Sequence, residues 1–174
     1  MIAASCCIRL GIALVLLVAG AQKALDVAAF RATIADYATL PRRWAPGLAW
    51  SVVVAELILG VLLLVGYEPR LGLIVAAALF ALFSLVVSHE VRRGSEVECG
   101  CFGGGTGTIS WHLVARDLLL AGAALAASAF EPLSGGDVSF GSSSWLACAV
   151  TAASLLIAYA TTAAGLHVLQ RRPQ

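Results

Sequence analysis

Five apolar segments of about 20 residues each are the feature of this sequence that most restricts its fold. A helix needs roughly 20 apolar residues to cross the hydrocarbon core of a bilayer. The segments are residues 6–25, 48–66, 71–91, 111–130 and 145–169. Of the 174 residues, 60% are hydrophobic and 12% charged, whereas a soluble domain carries about 25% charged residues. The sequence therefore predicts an all-α fold: a polytopic membrane helix bundle forming a single transmembrane domain over residues 1–174, with a four-helix core plus a fifth transmembrane helix.

Charge and the N-terminal pattern exclude two other classes of protein. The net charge is +1 and the basic residues are scattered, so the sequence gives no indication of nucleic-acid binding. A cleaved signal peptide is disfavoured because no positive charge precedes Arg9 and four more apolar segments follow the first. The partner that composition implies is the lipid bilayer.

The number of crossings fixes which loops share a side of the membrane. With five spans, the first loop, the third loop and the C-terminus lie on one side, so Lys23 is near the face that carries Cys99 and Cys101. The other three cysteines belong to the opposite face: Cys6, Cys7 and Cys148. About 30 Å of hydrocarbon separates the two groups, which disfavours a disulfide between them. The roles of those three cysteines are left open.

The third loop contains two cysteines one residue apart. Cys99 and Cys101 are separated by Gly100 and followed by Phe102 and Gly103. Two cysteines at this spacing lie near the upper limit of disulfide geometry, and Gly100 relaxes the strain of closing so small a ring. A strained, accessible disulfide exchanges more readily than a structural one. The pair is therefore predicted to be a redox-active dithiol, placed just before the N-terminus of helix four.

Two other readings of the pair remain open. Two thiolates together with His89 or His112 have the chemistry to hold zinc or a soft metal, although the spacing is Cys-x-Cys and no second pair lies on that side. Alternatively, the two cysteines have a structural role and stabilise the loop without redox exchange or metal binding. A soft-metal carrier is a related hypothesis, in which Cys6 and Cys7 would act with the loop pair as relay thiols.

Charged residues inside apolar segments mark a second candidate site. Glu56 falls near the middle of helix two, and Arg116 and Asp117 fall early in helix four, where an unpaired charge costs a few kcal/mol. His112 and Arg116 are four residues apart and hence on one helix face. We expect the charged partners inside the bundle to be the Lys23–Asp26 pair, Glu56, and the Arg116–Asp117 pair. They form either a structural ion network or a polar layer that moves protons or tunes the thiols.

The order of these residues resembles the methylamine-utilisation protein MauE family, within the DoxX-like group of small membrane bundles. The residues that carry the resemblance are Gly20 and Lys23, Leu40-Pro41, Glu56, Cys99-Gly100-Cys101-Phe102-Gly103, Trp111 and Arg116-Asp117. The resemblance covers about residues 9–130. It implies a bacterial inner-membrane protein that uses Cys99 and Cys101 to exchange disulfides with a periplasmic thioredoxin-like partner. The implied clients are disulfide-containing proteins of the methylamine dehydrogenase type, and a non-enzymatic chaperone or anchor is the alternative.

The cofactor and the orientation follow from different considerations. The sequence itself identifies no cofactor, and quinone is suggested only because the layout is similar to that of vitamin K epoxide reductase.

Eight Lys and Arg residues lie on the cysteine side of the membrane and two on the other side. By the positive-inside rule this count indicates that the cysteine side is cytoplasmic. Disulfide chemistry belongs outside the cytoplasm. We expect the Cys-Gly-Cys loop to be periplasmic, with some of these basic residues paired within a folded first loop: Arg31 and Arg42 with Asp36, or with Glu96 and Glu98.

Overall fold

The computed structural model describes residues 2–37, 41–93 and 111–131, and these residues form five α-helices and one short 3-10 helix. The α-helices are α1 (Ile2–Leu25), α2 (Val27–Asp36), α3 (Ala45–Val65), α4 (Pro69–Arg92) and α5 (Trp111–Ser128), and the 3-10 helix is Arg42–Trp44. Within these ranges there is no β-strand. The predicted all-α fold class is confirmed.

Three of the helical segments are long and apolar enough to cross a membrane. They are Ser5–Leu25, Arg42–Val65 and Pro69–Arg92, with mean hydropathies of 1.9, 2.6 and 2.6. The protein is therefore a multi-pass membrane protein. α5 coincides with the predicted fourth span but has 18 residues and three polar ones in its first half, so its crossing stays a prediction. The predicted fifth span, residues 145–169, lies outside the described residues, and the single-domain assignment likewise stays a prediction.

The helices alternate in direction, so that loops gather at two ends of the bundle. One end, called here the loop end, is where α1 and α4 finish, where α3 and α5 begin, and where α2 lies. Arg92 of α4 and Trp111 of α5 meet there, with the guanidinium carbon 5.9 Å from the ring centre. At the opposite end, the Ser5 hydroxyl donates a hydrogen bond to Glu131 at 2.6 Å. The described anchors of the first and third loops thus share one end, as the count of crossings predicts.

The helices α3 and α4 begin before the predicted segments 48–66 and 71–91, with a proline in the first turn of each. Pro46 lies in the first turn of α3, and Pro69 is the first residue of α4; proline suits these positions because the first amides of a helix have no intrahelical acceptor. The turn between α3 and α4 occupies residues 66–68. Gly66 ends α3 with a φ of 79°, a conformation that glycine adopts without strain.

The first loop contains a helix that the sequence analysis did not predict. α2 begins where the Asp26 side chain accepts a hydrogen bond from the Ala29 amide at 2.9 Å, the usual way of satisfying a free amide at a helix start. Its two buried apolar residues, Phe30 and Ile34, pack against the first half of α3 at Ala45, Ala49 and Val53. The first loop is therefore a packed part of the bundle.

Small residues bring the helices close together in the core. Ala13 of α1, Ala76 of α4 and Ala124 of α5 are fully buried in the main apolar cluster. A Cβ atom on Gly60 would lie 2.7 Å from Leu17 Cγ, and one on Gly72 would lie 2.8 Å from Leu63 Cδ2. Both glycines therefore permit close helix packing. At Gly122, by contrast, a Cβ atom would meet no described atom within 4 Å.

Gly60→Ala should destabilise the bundle, whereas Gly122→Ala should not. At Gly60 the new methyl group overlaps Leu17 and lies 3.2 Å from the Ala13 carbonyl oxygen, and overpacking of this kind costs about 1–3 kcal/mol. At Gly122 the methyl group meets none of the described atoms within 4 Å, and alanine favours a helix by about 0.5–1 kcal/mol. Reversible unfolding in detergent micelles measures both free energies. Equal stability of the two variants would contradict this packing of α1 on α3.

Candidate functional site: a buried ionic cluster at the loop end

The Lys23 ammonium group and the Glu56 carboxylate form a buried ion pair between α1 and α3. Lys23 Nζ lies 2.6 Å from Glu56 Oε1 and 2.7 Å from Oε2. Both side chains are 2% exposed. A charge at this depth is tolerated only when it is paired and hydrogen-bonded, so each residue makes the burial of the other acceptable.

Gly20 explains how the two helices come close enough for this pair. A Cβ atom on Gly20 would lie 3.0 Å from Leu57 and 3.2 Å from Glu56 Cβ. Gly20 is three residues before Lys23, hence on the same face of α1. The Gly20-x-x-Lys23 pattern thus has a physical reason: the glycine removes the side chain that would hold α1 away from the carboxylate on α3.

Two aromatic rings complete the surroundings of Lys23. Its Nζ atom lies 5.5 Å from the ring centre of Phe30 in α2 and 5.6 Å from that of Phe83 in α4. A desolvated ammonium group gains up to about 2 kcal/mol from a cation–π contact. Lys23 therefore connects four helices at the loop end, through one carboxylate and two aromatic rings.

A second ion pair lies within α5. The Asp117 side chain is 2% exposed, and its Oδ1 atom lies 2.8 Å from Arg116 Nε and 2.6 Å from Arg116 Nη2. The Arg116 side chain is 19% exposed, so it lies at the edge of the bundle while the carboxylate faces the interior. Asp117 follows Trp111 by six residues, which places it about 9 Å below the start of α5.

The two ion pairs line one small cavity. Its volume is about 20 Å³, enough for one water molecule. Apolar residues form the rest of its wall, and α1, α3, α4 and α5 all contribute. The lining residues are Val15, Leu16, Ala19, Lys23, Glu56, Phe80, Phe83, Arg116, Asp117 and Leu120. Two cations and two carboxylates, surrounded by hydrocarbon, give a charge-balanced polar cluster that could hold a proton or a water molecule.

Four of the residues singled out in the sequence converge in this cluster. They are Lys23, Glu56, Arg116 and Asp117. Asp26 is not a partner of Lys23, contrary to the expectation, because it is exposed and caps α2. His112 is exposed at the start of α5. The structure adds Phe30 and Phe83, which the sequence analysis missed because a phenylalanine in an apolar helix looks like any other core residue.

The predicted dithiol itself lies outside the described residues. This applies to Cys99, Gly100, Cys101, Phe102 and Gly103, and also to Cys148. Its nearest described neighbours in the chain are Arg93 and Trp111, at the ends of the third loop. Cys6 and Cys7 are free thiols at the opposite end, with Cys6 buried and Cys7 half-buried, and the Cys6 sulfur accepts a weak contact from Arg9 Nη2 at 3.9 Å.

Removing one partner of the Lys23–Glu56 pair should be costly, whereas removing both should be tolerated better. Lys23→Met leaves a buried carboxylate unpaired, and the expected loss is about 3–5 kcal/mol. The double variant Lys23→Met, Glu56→Met leaves no charge, so its loss should be smaller than the sum of the two single losses. A double-mutant cycle of unfolding free energies measures this coupling.

Arg42→Gln is the matched control, because it removes an exposed ion pair at the same end of the bundle. Arg42 and Asp36 are 3.5 Å apart with side chains 81% and 56% exposed, and such pairs contribute about 0–1 kcal/mol. A Lys23→Met variant no less stable than Arg42→Gln would overturn the role assigned to the buried pair.

Comparison with known proteins identifies the family. The family model described as methylamine utilisation protein MauE matches residues 1–130. The chain is similar to the methylamine utilization protein MauE of Paracoccus denitrificans, with 31% identity over 121 residues, covering 68% of this chain and 65% of the relative. It is also similar to the protein of the same name from Paracoccus versutus, with 29% identity over 116 residues, covering 66% and 62%.

The chain thus spans slightly less than two thirds of the length of these two relatives. No solved structure matches it. The matched region includes every residue of the buried cluster and the Cys-Gly-Cys loop. The resemblance inferred from the sequence is confirmed: the chain belongs to the MauE family.

Proposed function

We propose that the protein is an inner-membrane thiol–disulfide redox protein whose Cys99 and Cys101 exchange disulfides with a periplasmic thioredoxin-like partner. The observation that carries this proposal is the buried ionic cluster at the loop end, close to the two residues that flank the Cys-Gly-Cys segment in the chain. Those residues, Arg92 and Trp111, are in contact, and the cluster begins about 9 Å below Trp111. We therefore expect the dithiol to lie at the polar end of the bundle.

The exchange proceeds by two thiolate attacks. In one direction, the thiolate of one loop cysteine attacks the partner's disulfide, forms a mixed disulfide and releases one partner thiolate. The second loop cysteine then attacks the mixed disulfide, so that the partner leaves as a dithiol and Cys99–Cys101 becomes the disulfide. Both steps are reversible, and rates of such exchange depend on thiolate fraction and access. Charged groups near the loop, among them Arg92 and Arg93, favour the thiolate.

The ionic cluster supports this chemistry as a fixed polar layer under the loop. Asp117 and Glu56 are carboxylates in a cavity large enough for one water molecule, so protons leaving or reaching the thiols have acceptors within the bundle. Lys23 and Arg116 hold the two carboxylates in place. In this proposal these four residues position the loop end and handle protons, and they do not contact the partner.

The family name gives the biological setting. The relatives are named methylamine utilization proteins, and we infer that the clients are disulfide-containing proteins of methylamine use, with the loop on the periplasmic side, where disulfides persist. Pairing of one first-loop arginine is consistent with this orientation, since Arg42 contacts both Asp36 and the Ala35 carbonyl oxygen. A paired arginine contributes less net positive charge, so the excess of basic residues on the cysteine side is weaker support for a cytoplasmic location.

Replacing either loop cysteine should stop turnover, with opposite effects on the complex with the partner. Serine in place of the cysteine that attacks second leaves a mixed disulfide that the loop cannot resolve, so a covalent complex with a thioredoxin-like protein should accumulate. Serine in place of the cysteine that attacks first should abolish that complex. Client maturation should fall at least tenfold. Non-reducing electrophoresis of membranes from cells expressing the full chain detects the complex, and its loss on reduction verifies the bond.

Cys7→Ser is the control, because Cys7 is a half-buried thiol at the opposite end and should leave both readouts unchanged. Labelling of Cys99 and Cys101 by a membrane-impermeant maleimide in spheroplasts tests the orientation in the same cells. Full client maturation in the double variant Cys99→Ser, Cys101→Ser would favour a non-enzymatic anchor and end the redox proposal.

A further inference from the structure

The loop end carries exposed basic and tryptophan side chains that the dithiol and the ionic cluster do not use. Five arginines there are exposed, against two exposed acidic residues, Asp26 and Asp36. The arginines are Arg31, Arg42, Arg43, Arg92 and Arg93. At the opposite end, Arg9 and Glu131 are buried and Arg70 is half-buried. Among the described residues, the positive surface charge is thus concentrated at one end.

Three of these arginines form a group on α2 and the adjoining 3-10 helix, which we call the basic ledge: Arg31, Arg42 and Arg43. Arg42 is fixed in place, since its Nε donates to the Ala35 carbonyl oxygen at 3.3 Å and its Nη2 lies 3.5 Å from Asp36. Arg31 is four residues before Ala35, on the same face of α2. Arg31 and Arg43 make no hydrogen bond or ion pair with the residues that the structure describes.

Tryptophan side chains place the basic ledge at the depth of the lipid headgroups. Trp44 and Trp50 are each 55% exposed, and they lie at the start of a segment that is apolar enough to cross the membrane. Indole rings of membrane helices prefer the headgroup region. Because α2 packs on Ala45 and Ala49 in the first turns of α3, its arginines lie near the same depth. The anion available at that depth is the phosphate of a phospholipid.

We propose that the basic ledge binds the headgroup of an anionic phospholipid. Guanidinium groups bind phosphate through paired, charge-assisted hydrogen bonds, and Arg31 and Arg43 have donors available for this. The neighbouring Trp44 and Trp50 rings would contact the glycerol and upper acyl region of the same lipid. A bound lipid would hold α2, and with it Phe30, against Lys23. This inference does not depend on the redox proposal.

The test is competition between lipids for the full chain in bilayers. The protein is reconstituted in phosphatidylcholine, and tryptophan fluorescence is quenched by brominated phosphatidylglycerol or, separately, by brominated phosphatidylcholine. Wild-type protein should bind phosphatidylglycerol more tightly than phosphatidylcholine. In the double variant Arg31→Gln, Arg43→Gln, the ratio of the two binding constants should fall about fivefold for each arginine removed.

Arg70→Gln, at the opposite end, is the matched control and should keep the wild-type preference. Inorganic phosphate at constant ionic strength should not compete, since a lipid phosphate is held at the ledge by the bilayer. Equal quenching by the two lipids in wild-type protein, an unchanged preference in the double variant, or displacement by inorganic phosphate would each overturn the proposal. Displacement by an acidic peptide but not by phosphatidylglycerol would assign the surface to a protein partner instead.

Discussion

The contact between Lys23 and Glu56 is the interaction on which the rest of the loop end depends. A lysine at the end of one membrane helix and a glutamate in the middle of another are both buried, and neither would be stable alone in hydrocarbon. Their pairing fixes the approach of α1 to α3. The rings of Phe30 and Phe83 then bring α2 and α4 to the same point. One side chain thus sets the relative positions of four helices.

The loop end and the middle of the bundle are stabilised by different interactions. At the loop end, ion pairs, cation–π contacts and a water-sized cavity give a polar interior beneath a basic, tryptophan-rich surface. In the middle and toward the opposite end, small residues such as Ala13, Gly60 and Ala124 let apolar helices interlock. Buried polar groups also occur at the opposite end, where Ser5 and Glu131 are hydrogen-bonded, but among the described residues the two short buried ion pairs lie toward the loop end.

The sequence predicted what depends on composition and spacing, and it failed where tertiary packing decides. Apolar length and intramembrane charge were enough to give an all-α membrane bundle and to single out Lys23, Glu56 and Asp117. Which carboxylate pairs with Lys23 depends on the face that α1 presents to α3, and this is set by Gly20. α2 was missed because it has ten residues and two buried ones. The sequence also does not distinguish Gly60, which lies at a helix contact, from Gly122, where no described atom is close.

The central claim is that the proposed dithiol, Cys99 and Cys101, opens and closes as a two-electron couple. The most direct measurement equilibrates membranes containing the full chain in glutathione buffers of graded potential, then alkylates the free thiols and determines the mass of the protein. The account predicts that Cys99 and Cys101 lose and regain both labels together, and that the midpoint shifts in the double variant Lys23→Met, Glu56→Met. Thiols that remain fully labelled, or fully unlabelled, at every potential would contradict it.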